Sequence, residues 1–348
     1  MTRTILWLCV VLLLGRPLAA APLKESGAGV GQDAVVVDDR TEALIRGALK
    51  YMASRQLPNG AWAAAEGEKH LVAMTGYVLM AFLATGNLPN EGEYGKNVAQ
   101  GLEFLLSSVK PDGFIENGNT NMYGHGIATI ALAEMYGQSP SPRLRAKLEQ
   151  AIRLIIACQN DQGGWRYPPR VGDADISVTV LQVVALRAAK NSGLDVPQST
   201  IDRAVKYVRD CYHKSSGGFT YQAGRGEPGF ARTAAAIYSL QVCGLYDDPM
   251  VKAGSKYLMK NRNDRQWFTY GNFYAAPAQY MIGGDTWKEY YVQIRDLLAR
   301  EARTQGEMVY WEPKLDGGGS RGAGPIYTTA VYTSILAMPY HYIPLYQR

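Results

Sequence analysis

Five stretches of this chain carry no charged side chain: Leu71 to Ala84, Gly126 to Ala133, Ile176 to Leu186, Thr233 to Cys243 and Tyr327 to Met338. A helix that is apolar on every side is a buried helix. The segments between them read differently. Leu144, Leu148, Ile152, Ile155 and Ile156 form one stripe, with Arg145, Lys147, Glu149 and Arg153 off it. Ile201, Val205 and Val208 are likewise opposed by Arg203, Lys206 and Arg209. A helix with one apolar and one charged face belongs at a surface. The pattern therefore predicts buried inner helices alternating with outer ones along the chain.

A recurring turn sets the period. Aromatic residues at Trp62, Phe114, Trp165, Phe219, Trp267 and Trp311 are spaced by 52, 51, 54, 48 and 44 residues. Gln56 to Trp62 and Gln159 to Trp165 share Gln-x-x-x-Gly-x-Trp, and His213 to Phe219 keeps the spacing. The glycine supplies a left-handed residue after the last helical turn, and the aromatic is expected to fold back over the helix end. An open solenoid needs polar terminal repeats. Here the last repeat instead runs into Met338-Pro-Tyr-His-Tyr-Ile-Pro-Leu-Tyr346, which favours closure on the first. The expected fold is all-α: an α/α toroid (α6/α6 barrel) of six two-helix repeats.

The chain begins as an exported protein would. Arg3 precedes an apolar run from Ile5 to Leu14, Arg16-Pro17 ends it, and Leu18-Ala-Ala-Ala21 offers a cleavage site. Ten apolar residues are too few for a bilayer span, so a cleaved signal peptide is expected. The expected organisation is a signal peptide at 1–21, a flexible leader at 22–40 and the toroid at 41–348, in a periplasmic or secreted protein with no integral membrane segment in the mature chain. Losing Arg3 and Arg16 lowers the net charge from +5 to +3, and no basic run argues for nucleic acid. Cys158, Cys211 and Cys243 survive cleavage. A Cys158–Cys211 bridge is weighed against three free buried thiols, and the thiols are preferred.

The Gln-to-Trp turns, the period near fifty and the inner/outer alternation resemble the prenyltransferase and squalene oxidase repeat proteins, across Ala43 to Arg348. Exported bacterial members resemble it most in Gly163-Gly-Trp-Arg-Tyr167, Asp175-Ile-Ser-Val-Thr179, Tyr123-Gly-His-Gly126 and Ile343-Pro-Leu-Tyr-Gln-Arg348. The resemblance implies the α/α toroid of terpenoid cyclases and of protein prenyltransferase β subunits. It also implies places to look for chemistry. The Asp-x-Asp-Asp acid of squalene-type cyclases corresponds to Asp173-Ala-Asp175-Ile176, whose middle acid is Asp175 and whose fourth position is Ile176. The competing reading has Asp175 or Ser177 capping a helix. The prenyltransferase zinc set needs Asp-x-Cys. Here Asp210-Cys211 is adjacent and His70, His125, His213 and His341 are scattered, so neither metal nor cofactor is expected.

If all inner helices run the same way, their N-termini gather at one mouth, bringing partial positive charge and free N–H groups. The residues expected there are His70, Tyr123, His125, Asp173, Asp175, Arg232, Tyr274 and Tyr327. Asp175, Asp173 and His125 are the candidate catalytic groups, and Tyr123, Arg232, Tyr274 and Tyr327 the ligand-binding ones. His125 is weighed against a structural histidine, and Arg232 against an ion pair with Asp175. The leading expectation is binding of a ligand or partner at this mouth. The alternatives are a cyclase- or prenyltransferase-like enzyme on an isoprenoid lipid, and an α/α-barrel enzyme on polysaccharide. Partners would be an apolar or isoprenoid ligand, or an extracytoplasmic protein or glycan.

Overall fold

The computed structural model describes residues 35–64, 70–317 and 323–346. The expected signal peptide and most of the expected leader lie outside them. Twelve helices follow in alternation among the described residues. The outer ones are α1 (Asp39–Ser54), α3 (Gly95–Ser108), α5 (Pro142–Ala157), α7 (Gln198–Asp210), α9 (Pro249–Lys260) and α11 (Gly284–Glu301). The inner ones are α2 (Leu71–Ala84), α4 (Met122–Gln138), α6 (Ile176–Asn191), α8 (Phe230–Val242), α10 (Phe268–Ile282) and α12 (Gly324–Leu336). α1 starts two residues before the boundary placed at 40/41, because the Asp38 carboxylate caps it by accepting from Thr41 N at 2.8 Å.

Each inner helix packs on the next, and α12 packs back on α2. The α/α toroid is thus closed. The layer assignment holds residue by residue: all fourteen residues of α2 are buried, whereas α7 buries only Thr200, Ile201, Ala204, Tyr207 and Val208 along one face. The inner helices outrun the uncharged segments. α4 includes Glu134, and α6 ends with Arg187 and Lys190. Two short hairpins, Tyr212–His213 with Gly218–Phe219 and Arg303–Gln305 with Met308–Tyr310, are added to the helical frame. No helix among the described residues is long and apolar enough to cross a membrane. Cys158, Cys211 and Cys243 are free thiols.

The turn motif explains how the ring is stitched. The Trp62 and Trp165 indoles fold back to donate from Nε1 to Met52 O (2.7 Å) and Ile155 O (2.8 Å), the ends of their own outer helices. Gln56 and Gln159 each donate from Nε2 twice: to the carbonyl of the turn glycine, and to the start of the next outer helix at Asn97 O and Thr200 O. Gly163 has φ +90°, and a Cβ there would lie 2.3 Å from Arg203 O, so the next outer helix seats against bare backbone. Repeat five departs from the pattern. Phe268 takes the buried place, and Trp267 is left 44% exposed with left-handed backbone.

Closure depends on a seam between the first and last repeats. Tyr51 stacks on Tyr310 with centroids 5.0 Å apart, Lys50 pairs with Glu307 at 2.6 Å, and the Tyr340 hydroxyl donates to the Glu42 carboxylate. Beyond α12 the chain turns under the C-terminal ends of the inner helices. Ile343, Leu345 and Tyr346 are buried there, with Tyr346 6.5 Å from Tyr238.

Candidate functional site: a tyrosine-walled cavity at the inner-helix N-termini

The starts of all six inner helices converge on one cavity of about 560 Å³. α2 supplies Ala73, Met74 and Tyr77; α4 supplies Tyr123 and Gly124; α6 supplies Ile176 and Ser177. α8 supplies Ala231 and Arg232, α10 supplies Tyr270, and α12 supplies Tyr327. Two more tyrosines arrive from loops by one backbone device. Tyr167 O accepts from Met122 N at 2.9 Å, and Tyr221 O accepts from Ile176 N at 3.0 Å. Each of these loops therefore docks on the start of the preceding inner helix and carries its tyrosine to the cavity.

The tyrosine hydroxyls are mostly paired. Tyr77 and Tyr123 share a hydrogen bond of 2.6 Å, and the Tyr167 hydroxyl lies 3.3 Å from Ser177 Oγ. The Tyr270 hydroxyl is buried and has no hydrogen-bond partner. Burial holds the phenols of Tyr77, Tyr123, Tyr270 and Tyr327 well above their ordinary pKa, so each is a neutral O–H at physiological pH.

The rim is strained. His70, Asn119 and Trp267 line the mouth, and each has positive φ. An asparagine tolerates that conformation. A histidine and a tryptophan do so at a cost of roughly 1–2 kcal/mol each. Such strain persists where surrounding structure enforces it.

The structure redistributes the expected site residues. Tyr123, Arg232 and Tyr327 line the cavity, as does His70. Asp175 sits in the wall behind it, fully buried. Its Oδ1 accepts from Val178 N (2.9 Å) and from Ser177 Oγ (2.6 Å). The capping reading is the one the geometry bears out. Its links to the cavity lining are the Ser177 hydroxyl and Tyr221. Burial raises its pKa, opposed by the bonds from Ser177 and Val178. The ion pair with Asp175 weighed for Arg232 is made instead by Arg166, whose Nε is 3.7 Å from Asp175 Oδ2.

Three expectations are corrected. Asp173 points outward, half exposed, with Arg166 Nη1 at 3.2 Å. His125 faces away from the cavity: it is fully buried, its ring lies tilted against Phe114 with centroids 5.5 Å apart, and its Nδ1 accepts from Ile115 N at 3.1 Å. Tyr274 lies one turn deeper on α10, behind Tyr270 at 5.0 Å and Phe273 at 5.1 Å, outside the lining. Among the described residues no carboxylate lines the cavity.

The residues that sequence reasoning missed were within reach of the repeat. Tyr167 and Tyr221 each stand two positions after a repeat aromatic, Trp165 and Phe219. Tyr270 precedes Tyr274 by one helical turn. Tyr77 is the tyrosine of the uncharged α2 segment.

No protein-family model matches the chain, and no curated protein matches it. Solved structures do. An inactive variant of the α-1,6-mannanase GH76A of Salegentibacter sp. HEL1_6, in complex with α-1,6-mannotriose, superposes with a TM-score of 0.65 at 12% identity, over 87% of this chain and 99% of that one. The type II terpene cyclase MstE from Scytonema, in complex with geranylgeranyl dihydroxybenzoate, gives a TM-score of 0.57 at 14% identity, over 87% and 98%. Cellobiose 2-epimerase from Bacillus thermoamylovorans B4167 gives 0.64 at 12%, over 86% and 98%. At such identities the likeness is one of architecture, and the architecture this chain shares with all three is the α/α toroid.

Proposed function

We propose that this protein is an exported toroid that binds one small, largely apolar ligand in its tyrosine-walled cavity. One observation carries the reading: all six inner helices open onto a single cavity whose described lining is chiefly aromatic and small apolar residues, with His70, Arg232 and a few uncharged polar side chains and without a carboxylate. The volume lies within the roughly 300–1,000 Å³ of small-molecule sites. Aromatic rings supply apolar surface, and their hydroxyls orient polar groups. Kinship with the prenyltransferase and squalene oxidase repeat proteins belongs to the same proposal. Its support is the Gln56 and Gln159 clamps, which give the shared turn motif a structural task. The apolar run from Ile5 to Leu14 supports export.

A second reading is catalytic, on an isoprenoid or a glycan. Asp175 favours it: the carboxylate is buried, and Ser177 connects it to Tyr167 at the cavity wall. Proton exchange between the cavity and Asp175 would run through the hydroxyl of Ser177 or of Tyr221.

The test is native mass spectrometry of the full chain purified from its own host, followed by solvent extraction. The expected result is mature protein lacking the first 21 or so residues, in complex with one retained small molecule that Tyr270→Trp, which fills the cavity, displaces. Protein that is ligand-free in every preparation, and unchanged in thermal midpoint across a lipid and glycan panel, would defeat the binding reading.

A further inference from the structure

The cavity has two chemically different sides. On one, Ala73, Met74, Tyr77 and Tyr327 present apolar and ring surface from α2 and α12. On the other, α8 and α10 begin side by side. They are so close that a Cβ on Gly271 would lie 3.1 Å from Ala231 Cα. These two helices bring three donor features to the lining. The N-cap of α8 is Gly229, and no side chain caps that helix. Its first turn, with Ala231 and Arg232, lines the cavity. The Arg232 guanidinium lies over Gly229, where a Cβ would be 2.9 Å from its Nε, and among the described residues its hydrogen bond is to the Glu227 carbonyl (2.8 Å). It makes no ion pair with the described residues. The third is the Tyr270 hydroxyl, on a ring only 9% exposed, which has no partner.

Building on the ligand-cavity reading, we propose that the α8–α10 side holds the oxyanion head of an amphipathic ligand, a singly charged carboxylate, while its apolar body lies against α2 and α12. An uncapped helix N-terminus offers N–H groups and partial positive charge to an anion. An arginine adds a charged, forked donor. A phenol that burial keeps protonated donates a further bond. A neutral hydrocarbon would leave the Tyr270 hydroxyl buried and unpaired, which is unfavourable. The two buried carboxylates on this side have partners of their own: Asp175 accepts from Ser177 and Val178 and faces Arg166, and Asp316 accepts from Thr269 at the start of α10. One guanidinium in the described lining matches one negative charge.

The experiment compares decanoate with decanol, which share a body and differ in head, by calorimetric titration on the full mature chain below micellar concentrations. Decanoate is expected to bind at least about tenfold more tightly, with the preference shrinking as salt rises. Arg232→Gln should abolish the preference and Arg232→Lys should restore part of it. Tyr270→Phe, which removes one hydroxyl, should narrow it several-fold. Decanol binding as well as decanoate would overturn the head assignment and leave the apolar-cavity reading standing. Neither compound binding would overturn the head assignment too, and the retained-ligand measurement then decides the cavity reading separately. A preference that survives Arg232→Gln in a variant with unchanged circular dichroism would also defeat it.

Discussion

The amide of Ile115 donates to Nδ1 of His125 at 3.1 Å. In other repeats the same tether, from turn amide to inner helix, ends on a threonine hydroxyl: Trp62 N to Thr75, Trp165 N to Thr179, Phe219 N to Thr233 and Trp311 N to Thr329, all at 2.9–3.2 Å. His125 is the second repeat's substitute for that threonine. An imidazole fills the slot at a price in acid stability. Burial lowers its pKa from 6.5 to about 4. Above pH 6.5 both folded and unfolded chains hold it neutral. As pH falls from 6.5 to 4 the unfolded chain takes up a proton that the folded one refuses, so stability is lost over that window, by up to about 3 kcal/mol. His125→Gln should lack this component. Urea denaturation of both proteins at pH 7 and pH 4.5 measures it, and parallel losses would refute the assignment.

Glu134 has the opposite sign. It is buried near the C-terminal tail, beside Tyr238 and Tyr346, and burial raises its pKa to about 7. The folded chain therefore keeps a proton that the unfolded chain releases near pH 4.5. Its contribution is complete below pH 4.5 and disappears as pH rises through about 7. Glu134→Gln should be more stable than the parent at pH 8, by up to about 3 kcal/mol, and equal to it near pH 4. Thermal midpoints across pH 4–8 test this, and a difference constant with pH would rule it out.

The indole clamps predict a hierarchy among the tryptophans. Trp165→Phe removes the indole bond to the Ile155 carbonyl, which keeps the longer bond from Cys158 N at 3.2 Å, at a cost of about 1 kcal/mol. Trp165→Ala removes the packing as well and should cost about 3–5 kcal/mol. Trp267→Phe should cost less, under about 1 kcal/mol, since the residue is 44% exposed and holds no place in the core. Equal losses at the two positions in guanidinium melts would contradict the assignment of Trp267 to the mouth.

Trp267 also separates stability from binding. At φ 57° and ψ 40° a glycine meets no Cβ penalty, so Trp267→Gly should relieve about 1 kcal/mol of local strain while removing an aromatic wall of the mouth. The expected result is an equal or higher melting temperature with weaker retention of ligand. Lower stability with unchanged retention would mean that the indole supports the fold.

The architecture was legible because its determinants are local. An uncharged α2, a two-faced α7 and the Gln159–Trp165 turn each announce their layer without reference to distant residues. The site was legible only where position along the repeat fixes direction. Tyr123 and Tyr327 fall in the first turn of inner helices, on the arc that faces the axis. His125, two residues after Tyr123, is rotated about 200° around the same helix and points the other way. Trp267 fits the repeat spacing, yet its left-handed backbone turns the ring outward and hands the buried place to Phe268, a difference that spacing does not encode. Asp175 was recognisable as a cap. That its partner is Arg166 rather than Arg232 depends on the path of the loop between Trp165 and Asp173.

The seam at Glu42 and Tyr340 makes the number of repeats indivisible. A linear array gains or loses units at its ends with little consequence for the rest. In this molecule the first and last repeats are neighbours, so removing any one would leave two inner faces bare and a gap that the remaining five cannot close without changing every interhelical angle. Its repeats can diverge in sequence, as the second and fifth have done, but they cannot be shed one at a time, and half of the chain should be no more folded than none of it.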